Sequence, residues 1–187
     1  SDVYKRQGLN IYMSTGYYKE PFLPKEVEEL SVEELAKKMI DDIKIGIDGK
    51  TKCATLIGEI GTGFEIMTEL EKKVFHAAAI AQKATGVFIT THTSLGKLGH
   101  EQLDFLENLG VDLNKVILGH VALSGNLNYI KSLLKRGAYV EFDTIGKNNY
   151  LPDETRVDFI KTLCEEGWSE KLLMSVDLTR RSHLKTN

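Results

Sequence analysis

Cysteine is almost missing from this chain. There are two, Cys53 and Cys164, far apart and in no Cys-x-x-Cys pair. They make no disulfide framework, and reduced thiols in a cytoplasmic protein are expected. No apolar run approaches the ~18 residues that a membrane span needs. No apolar h-region stands near the N-terminus, so no signal peptide is expected. An excess of charge of one sign is lacking too: 24 basic residues face 27 acidic ones, for a net charge of -3. The basic residues are scattered, which argues against a nucleic-acid footprint. Proline occurs three times, and Pro21 and Pro24 fall in one loop.

Several catalytic motifs are also missing. There is no Gly-x-Ser-x-Gly elbow. Gly61-Thr62-Gly63 has Ile66 where a dinucleotide fingerprint needs its third glycine. Gly46-Ile47-Asp48-Gly49-Lys50-Thr51 is too short for a phosphate loop and precedes a strand instead of following one.

What remains is 187 residues of ordinary composition, 42% hydrophobic and 27% charged, enough for one core. The pattern alternates strand and helix. Leu9 to Ser14 reads as a short strand. Ser31-Val32-Glu33-Glu34 and Thr68-Glu69-Leu70-Glu71 are capping boxes that open helices. Gly86, Gly110, Gly137 and Gly167 close the last four helices. Asp153 is expected to N-cap the last of them. The strands are continuous apolar runs, so both sheet faces are buried and the sheet is parallel. Two folds fit, an open doubly wound sheet and a (β/α)8 TIM barrel. Polar groups close nearly every strand, which is the barrel's arrangement. Six strands are countable where a barrel needs eight. The expectation is an incomplete α/β barrel, about strands three to eight, forming a single partial domain over 1–187.

Four strand ends carry the chemistry. Leu56-Ile57-Gly58 stops at Glu59, Val87-Phe88-Ile89-Thr90-Thr91 at His92, Val116-Ile117-Leu118-Gly119 at His120, and Leu172-Leu173-Met174-Ser175-Val176 at Asp177. Taken singly, each has a bland reading: a paired buried carboxylate, two satisfied core histidines and a turn aspartate. Together they share one register on one rim. Glu, His, His and Asp form a set of metal ligands. Asp143 ends a fifth strand and is suited to hold a histidine ring. Arg180, Arg181, His183 and Lys147 are candidates for binding a substrate anion. Tyr17 and Tyr18 are candidates for the pocket mouth.

The runs Leu56-Ile57-Gly58-Glu59-Ile60-Gly61-Thr62, Thr91-His92-Thr93, Ile117-Leu118-Gly119-His120, Glu141-Phe142-Asp143-Thr144-Ile145-Gly146-Lys147 and Ser175-Val176-Asp177-Leu178-Thr179-Arg180-Arg181-Ser182-His183 resemble the phosphotriesterase-related proteins of the amidohydrolase superfamily. The resemblance implies a TIM barrel with two divalent metal ions, zinc first, with manganese, cobalt or nickel as alternatives. It implies that Glu59 bridges the ions, in the position where phosphotriesterases proper use a carboxylated lysine. His92 and His120 would bind the more exposed ion. Asp177 would bind the buried ion and serve as the catalytic base. The implied reactions are hydrolysis of a lactone, carboxyl ester, N-acyl amide or phosphotriester, with a small-molecule substrate and no nucleic-acid or membrane partner. A homodimer is left open.

Two departures from the family pattern stand out. The family's first strand ends in a His-x-His pair, and this chain has none. Many relatives carry an aspartate two residues after the equivalent of His120, where this chain has Ala122. The rival reading is a non-catalytic barrel that binds one metal or none. A Schiff-base aldolase would need a lysine at a strand end, and none is found in the six strands.

Overall fold

The structure, a computed structural model, describes residues 8, 10–49 and 52–179. Six strands lie side by side in chain order, and every pair is parallel. They are β1 (Ser14–Thr15), β2 (Leu56–Thr62), β3 (Phe88–Thr93), β4 (Val116–Gly119), β5 (Tyr139–Phe142) and β6 (Leu172–Met174). The order never reverses, so the sheet has no switch point of the doubly wound kind. Sequential parallel strands are the barrel's topology. The outer helices are α1 (Glu26–Glu29), α2 (Val32–Lys44), α3 (Glu69–Thr85), α4 (Gly99–Asn108), α5 (Leu127–Leu134) and α6 (Asp153–Glu165).

Both capping boxes form. Ser31 and Glu34 exchange hydrogen bonds at the start of α2, and Thr68 and Glu71 do so at the start of α3. The helices turn their apolar faces to the sheet. Leu35 and Met39 on α2 and Val74, Phe75, Ala77, Ala78 and Ala81 on α3 are buried against Ile57, Ile89, Leu118 and Val140. Full burial of Phe75 contributes roughly 1.5–3 kcal/mol. No helix among the described residues is long and apolar enough to cross a membrane.

The ends of the sheet differ from the sequence expectation. The first strand is only Ser14–Thr15, at the edge of the sheet and paired with β2 alone, and Leu9 lies outside the described residues. The last strand stops at Met174, three residues short of Asp177. Pairing continues irregularly through Ser175, whose N–H donates to the Phe142 carbonyl at 3.1 Å. Asp177 then takes a left-handed backbone, φ 47°, which ends the extended run. The α6 N-cap is Pro152, and Asp153 is the first helical residue. Its carboxylate accepts the Gly146 N–H at 3.0 Å instead of capping its own helix. At the β1 and β6 edges, apolar side chains including Tyr12, Met174, Val176 and Leu178 are exposed.

One irregularity inside the sheet matters for the site. The β2–β3 register slips between Ile57 and Ile60, so β2 carries one extra residue there. A bulge re-aims the side chain it carries, and here that side chain is Glu59. Gly58 lies at the slip with φ 129°; a Cβ there would sit 2.2 Å from the Thr90 carbonyl oxygen, so no other residue fits. The Gly58–Glu59 peptide is cis.

Candidate metal centre

Glu59, His92 and His120 come from three adjacent strands and meet at their carboxyl ends. Glu59 Oε1 lies 3.3 Å from His120 Nε2 and 3.7 Å from His92 Nδ1. The two imidazoles stand edge to face with centroids 4.6 Å apart. One donor atom from each residue lies within 4.8 Å of the others, a spacing that could hold a metal ion. Two imidazoles and a carboxylate suit a divalent transition ion.

The surroundings fix each donor. Asp143 Oδ2 accepts the His120 backbone N–H at 2.7 Å, and its Oδ1 lies 2.9 Å from His120 Nδ1, off the line a hydrogen bond prefers. One carboxylate thus holds both the left-handed backbone of His120, φ 61°, and its ring. The Tyr18 hydroxyl lies 3.1 Å from His92 Nδ1, and Ser94 Oγ lies 3.2 Å from His92 Nε2. Ser94 donates onward to the Thr62 carbonyl at 2.7 Å.

The charges agree with this geometry. Burial pushes the Glu59 carboxyl up, but His120 and His92 outweigh it and hold the pKa at about 2. Burial alone would lower His120, but Asp143 and Glu59 outweigh it and push it up to about 10. Burial raises Tyr18 to about 12, with Glu59 and then Asp177 adding to the effect. Burial likewise raises Glu141 on β5, with help from Asp143, and Ser175 Oγ donates to it at 3.0 Å.

An open cleft of about 1350 Å³ lies over the group. Leu95, Ile145 and Tyr150 give it an apolar wall, and Tyr18, Lys147 and Asp177 also line it. Of the four described non-glycine residues with positive φ, Leu95, His120 and Asp177 border this cleft. Such backbone costs of order 1–3 kcal/mol each and clusters at working sites.

Asp177 shares the cleft but not the cluster. Lys147 Nζ donates to its carboxylate at 2.5 Å and to its carbonyl at 2.7 Å. Lys147 therefore holds Asp177, where the sequence suggests a substrate contact. Tyr17 faces Glu26 outside the cleft, and Tyr18 takes the place at the mouth. Arg180, Arg181 and His183 lie outside the described residues.

Sequence reasoning missed three buried polar residues that tie the rim down. Glu71 accepts the Gly63 N–H at 3.1 Å. Gln102 donates to Thr62 Oγ1 at 2.8 Å and to the His92 carbonyl at 2.9 Å. Arg156, 1% exposed, grips the loop after β5. Glu71 shows in sequence only as the last residue of its capping box, and Arg156 as a cation in the first turn of a helix, where it opposes the macrodipole.

The model of the phosphotriesterase family matches residues 1–187. A phosphotriesterase homology protein of Escherichia coli is 48% identical over 186 residues, covering 100% of this chain and 64% of that protein. Its crystal structure, complexed with phosphate in the active site, superposes with a TM-score of 0.94 over 98% of this chain and 63% of that one. A lactonase from Listeria monocytogenes is 26% identical with a TM-score of 0.92, covering 98% of this chain and 61% of that one. An aryldialkylphosphatase of Saccharolobus solfataricus is 35% identical, covering 94% of this chain and 56% of that protein. This chain thus spans less than two thirds of the length of these relatives. Its sequential parallel sheet is an incomplete TIM barrel, and the chain belongs to the phosphotriesterase family of the amidohydrolase superfamily.

Proposed function

We propose that residues 1–187 are part of one barrel domain of a metal-dependent hydrolase that acts on a small molecule. The convergence of Glu59, His92 and His120 within 4.8 Å carries this reading. These three residues would hold one divalent ion, and Glu59 could be shared with a second. The second ion's remaining protein donors are Asp177 and a His-x-His pair that this chain does not contain. When bound, divalent ions lower the pKa of water toward neutrality and polarise a C=O or P=O bond.

The chain's own residues do the rest. Asp143 and Tyr18 orient the His120 and His92 rings. Asp177 accepts the proton of the attacking water and delivers it to the leaving group. Leu95, Ile145 and Tyr150 hold the apolar part of the substrate. Arg180, Arg181 and His183, in the segment after Asp177, meet an anionic part, in keeping with the phosphate in the Escherichia coli structure. A lactone, carboxyl ester, N-acyl amide or phosphotriester fits this chemistry, and relatives named lactonase and aryldialkylphosphatase support that range. A second reading is a non-catalytic barrel that binds one metal or none; it is favoured by Asp177, which among the described residues pairs with Lys147 and does not join the Glu59 cluster.

Metal analysis of the full-length protein, beside turnover of a lactone, ester, amide and phosphotriester panel, separates the two. Two ions per chain with turnover of one substrate class is the expected result. One ion or none, with no turnover, would select the second reading.

A further inference from the structure

We propose that Arg156 is a positioning residue of the cleft, which sets Lys147 and through it Asp177 by closing the β5–α6 loop around a buried guanidinium. The inference rests on reading the cleft as a hydrolase site.

The guanidinium is 1% exposed, and a buried cation is stable only when paired and hydrogen-bonded. One carboxylate faces it, Asp153 Oδ1 at 2.6 Å. Its other acceptors come from the loop: Thr144 Oγ1 at 3.0 Å, the Lys147 carbonyl at 3.3 Å and the Leu151 carbonyl. The loop braces itself around these contacts. Lys147 N–H donates to the Thr144 carbonyl and Tyr150 N–H to the Lys147 carbonyl, each at 3.0 Å. Asp153 holds the Gly146 N–H, and Asn148 Oδ1 accepts the Asp153 N–H at 2.7 Å.

The same loop supplies Thr144, Ile145, Gly146, Lys147, Asn149 and Tyr150 to the cleft wall. Lys147 then reaches across to both the carboxylate and the carbonyl of Asp177. A continuous path of contacts thus leads from a side chain on α6 to the aspartate beyond β6. Glu71 and Gln102 tie the ends of β2 and β3 from α3 and α4, but neither reaches an ionisable side chain across the cleft. Removing the guanidinium takes its donor from the Thr144 hydroxyl and the Leu151 carbonyl and leaves the Lys147 carbonyl with the Tyr150 N–H alone, and buried groups left unpaired are costly.

The test uses the full-length protein with Arg156→Met, Lys147→Met and the double variant, and with Thr144→Val as a milder probe should Arg156→Met fail to fold. Without substrate, Arg156→Met or Thr144→Val should speed amide exchange at Gly146, Lys147 and Tyr150 by about tenfold or more, with β2–β4 amides unchanged. Unchanged exchange in the loop would overturn the proposal. With substrate, the losses in kcat/KM from Arg156→Met and Lys147→Met should overlap, the double variant falling within about twofold of the poorer single one. Losses that multiply would give Arg156 a merely structural role and overturn it too. If the unsubstituted protein turns over nothing in the substrate panel, the hydrolase reading fails, and the exchange result alone decides whether Arg156 sets the loop.

Discussion

Gly119 offers the most direct measure of how tightly the site is built into the sheet. It pairs with His92 in the β3–β4 register, immediately before His120. A Cβ built on it would lie 2.6 Å from the Thr91 carbonyl oxygen and 3.2 Å from both Asp143 Oδ2 and Glu59 Oε1. The carbonyl belongs to the strand that β4 pairs with, so it cannot retreat without loosening the ladder. The two carboxylate oxygens can move, but each is committed. Asp143 Oδ2 holds the His120 N–H, and Glu59 Oε1 faces both imidazoles. Forcing one methyl into a packed interior costs about 1–3 kcal/mol. Gly119→Ala should therefore lower stability by about that much, read as a lower urea midpoint at unchanged slope. It should also weaken metal retention, at about tenfold for each 1.4 kcal/mol of displaced ligand geometry. Gly63→Ala is the control. Nothing lies within 4 Å of its added Cβ, and it should be neutral or slightly stabilising. A Gly119→Ala protein with the parent midpoint and parent metal content would refute the argument. A lowered midpoint with full metal affinity would show that the close approach serves the sheet and not the site.

Three further outcomes are expected. Glu59→Ala in the full-length protein should abolish two-metal binding, measured as metal per chain, and equal metal content would remove Glu59 as the shared ligand. Asp177→Asn should keep much of its metal and lose roughly two to four orders of magnitude in kcat; near-normal turnover would exclude Asp177 from proton transfer. Metal-free protein should show a pH optimum of stability. His120 is raised from 6.5 to about 10, so its contribution is full below about 6.5 and is lost as pH rises through about 10. Glu59 is lowered from 4.5 to about 2, so its contribution is full above about 4.5 and is lost as pH falls toward 2. Urea midpoints should peak between those limits, and a higher midpoint at about pH 9 than at about pH 6 would contradict the pairing.

Strand ends were legible in the sequence because each chemical group there interrupts an apolar run. Glu59, His92 and His120 stand out against Leu, Ile and Val, and a parallel sheet brings such ends to one rim. The helices were legible through their capping boxes and closing glycines. The loops were not. Tyr17 and Tyr18 sit in a segment with no period, so nothing in the sequence tells which one faces His92. The short α1 carries no capping signal, and its cap Lys25 makes no side-chain hydrogen bond.

Asp177 shows why the remainder was hidden. Its place at the end of an apolar run suggested an extended strand up to the carboxylate and a side chain beside Glu59. The strand ends early, Asp177 takes a left-handed backbone, and its carboxylate meets Lys147. Two carboxylates brought together repel unless a cation stands between them. Lys147 pairs with the Asp177 carboxylate, and Arg156 donates to the Lys147 carbonyl within the β5–α6 loop. Lys147 and Arg156 stand nine residues apart and Asp177 follows 30 residues after Lys147, so no helix or strand period links the three. What joins them is a chain of contacts around one buried guanidinium, which only the folded chain brings together. On the proposed reading, the place of the Asp177 carboxylate is set by a helix residue that never touches it, and no spacing rule along the chain carries that information.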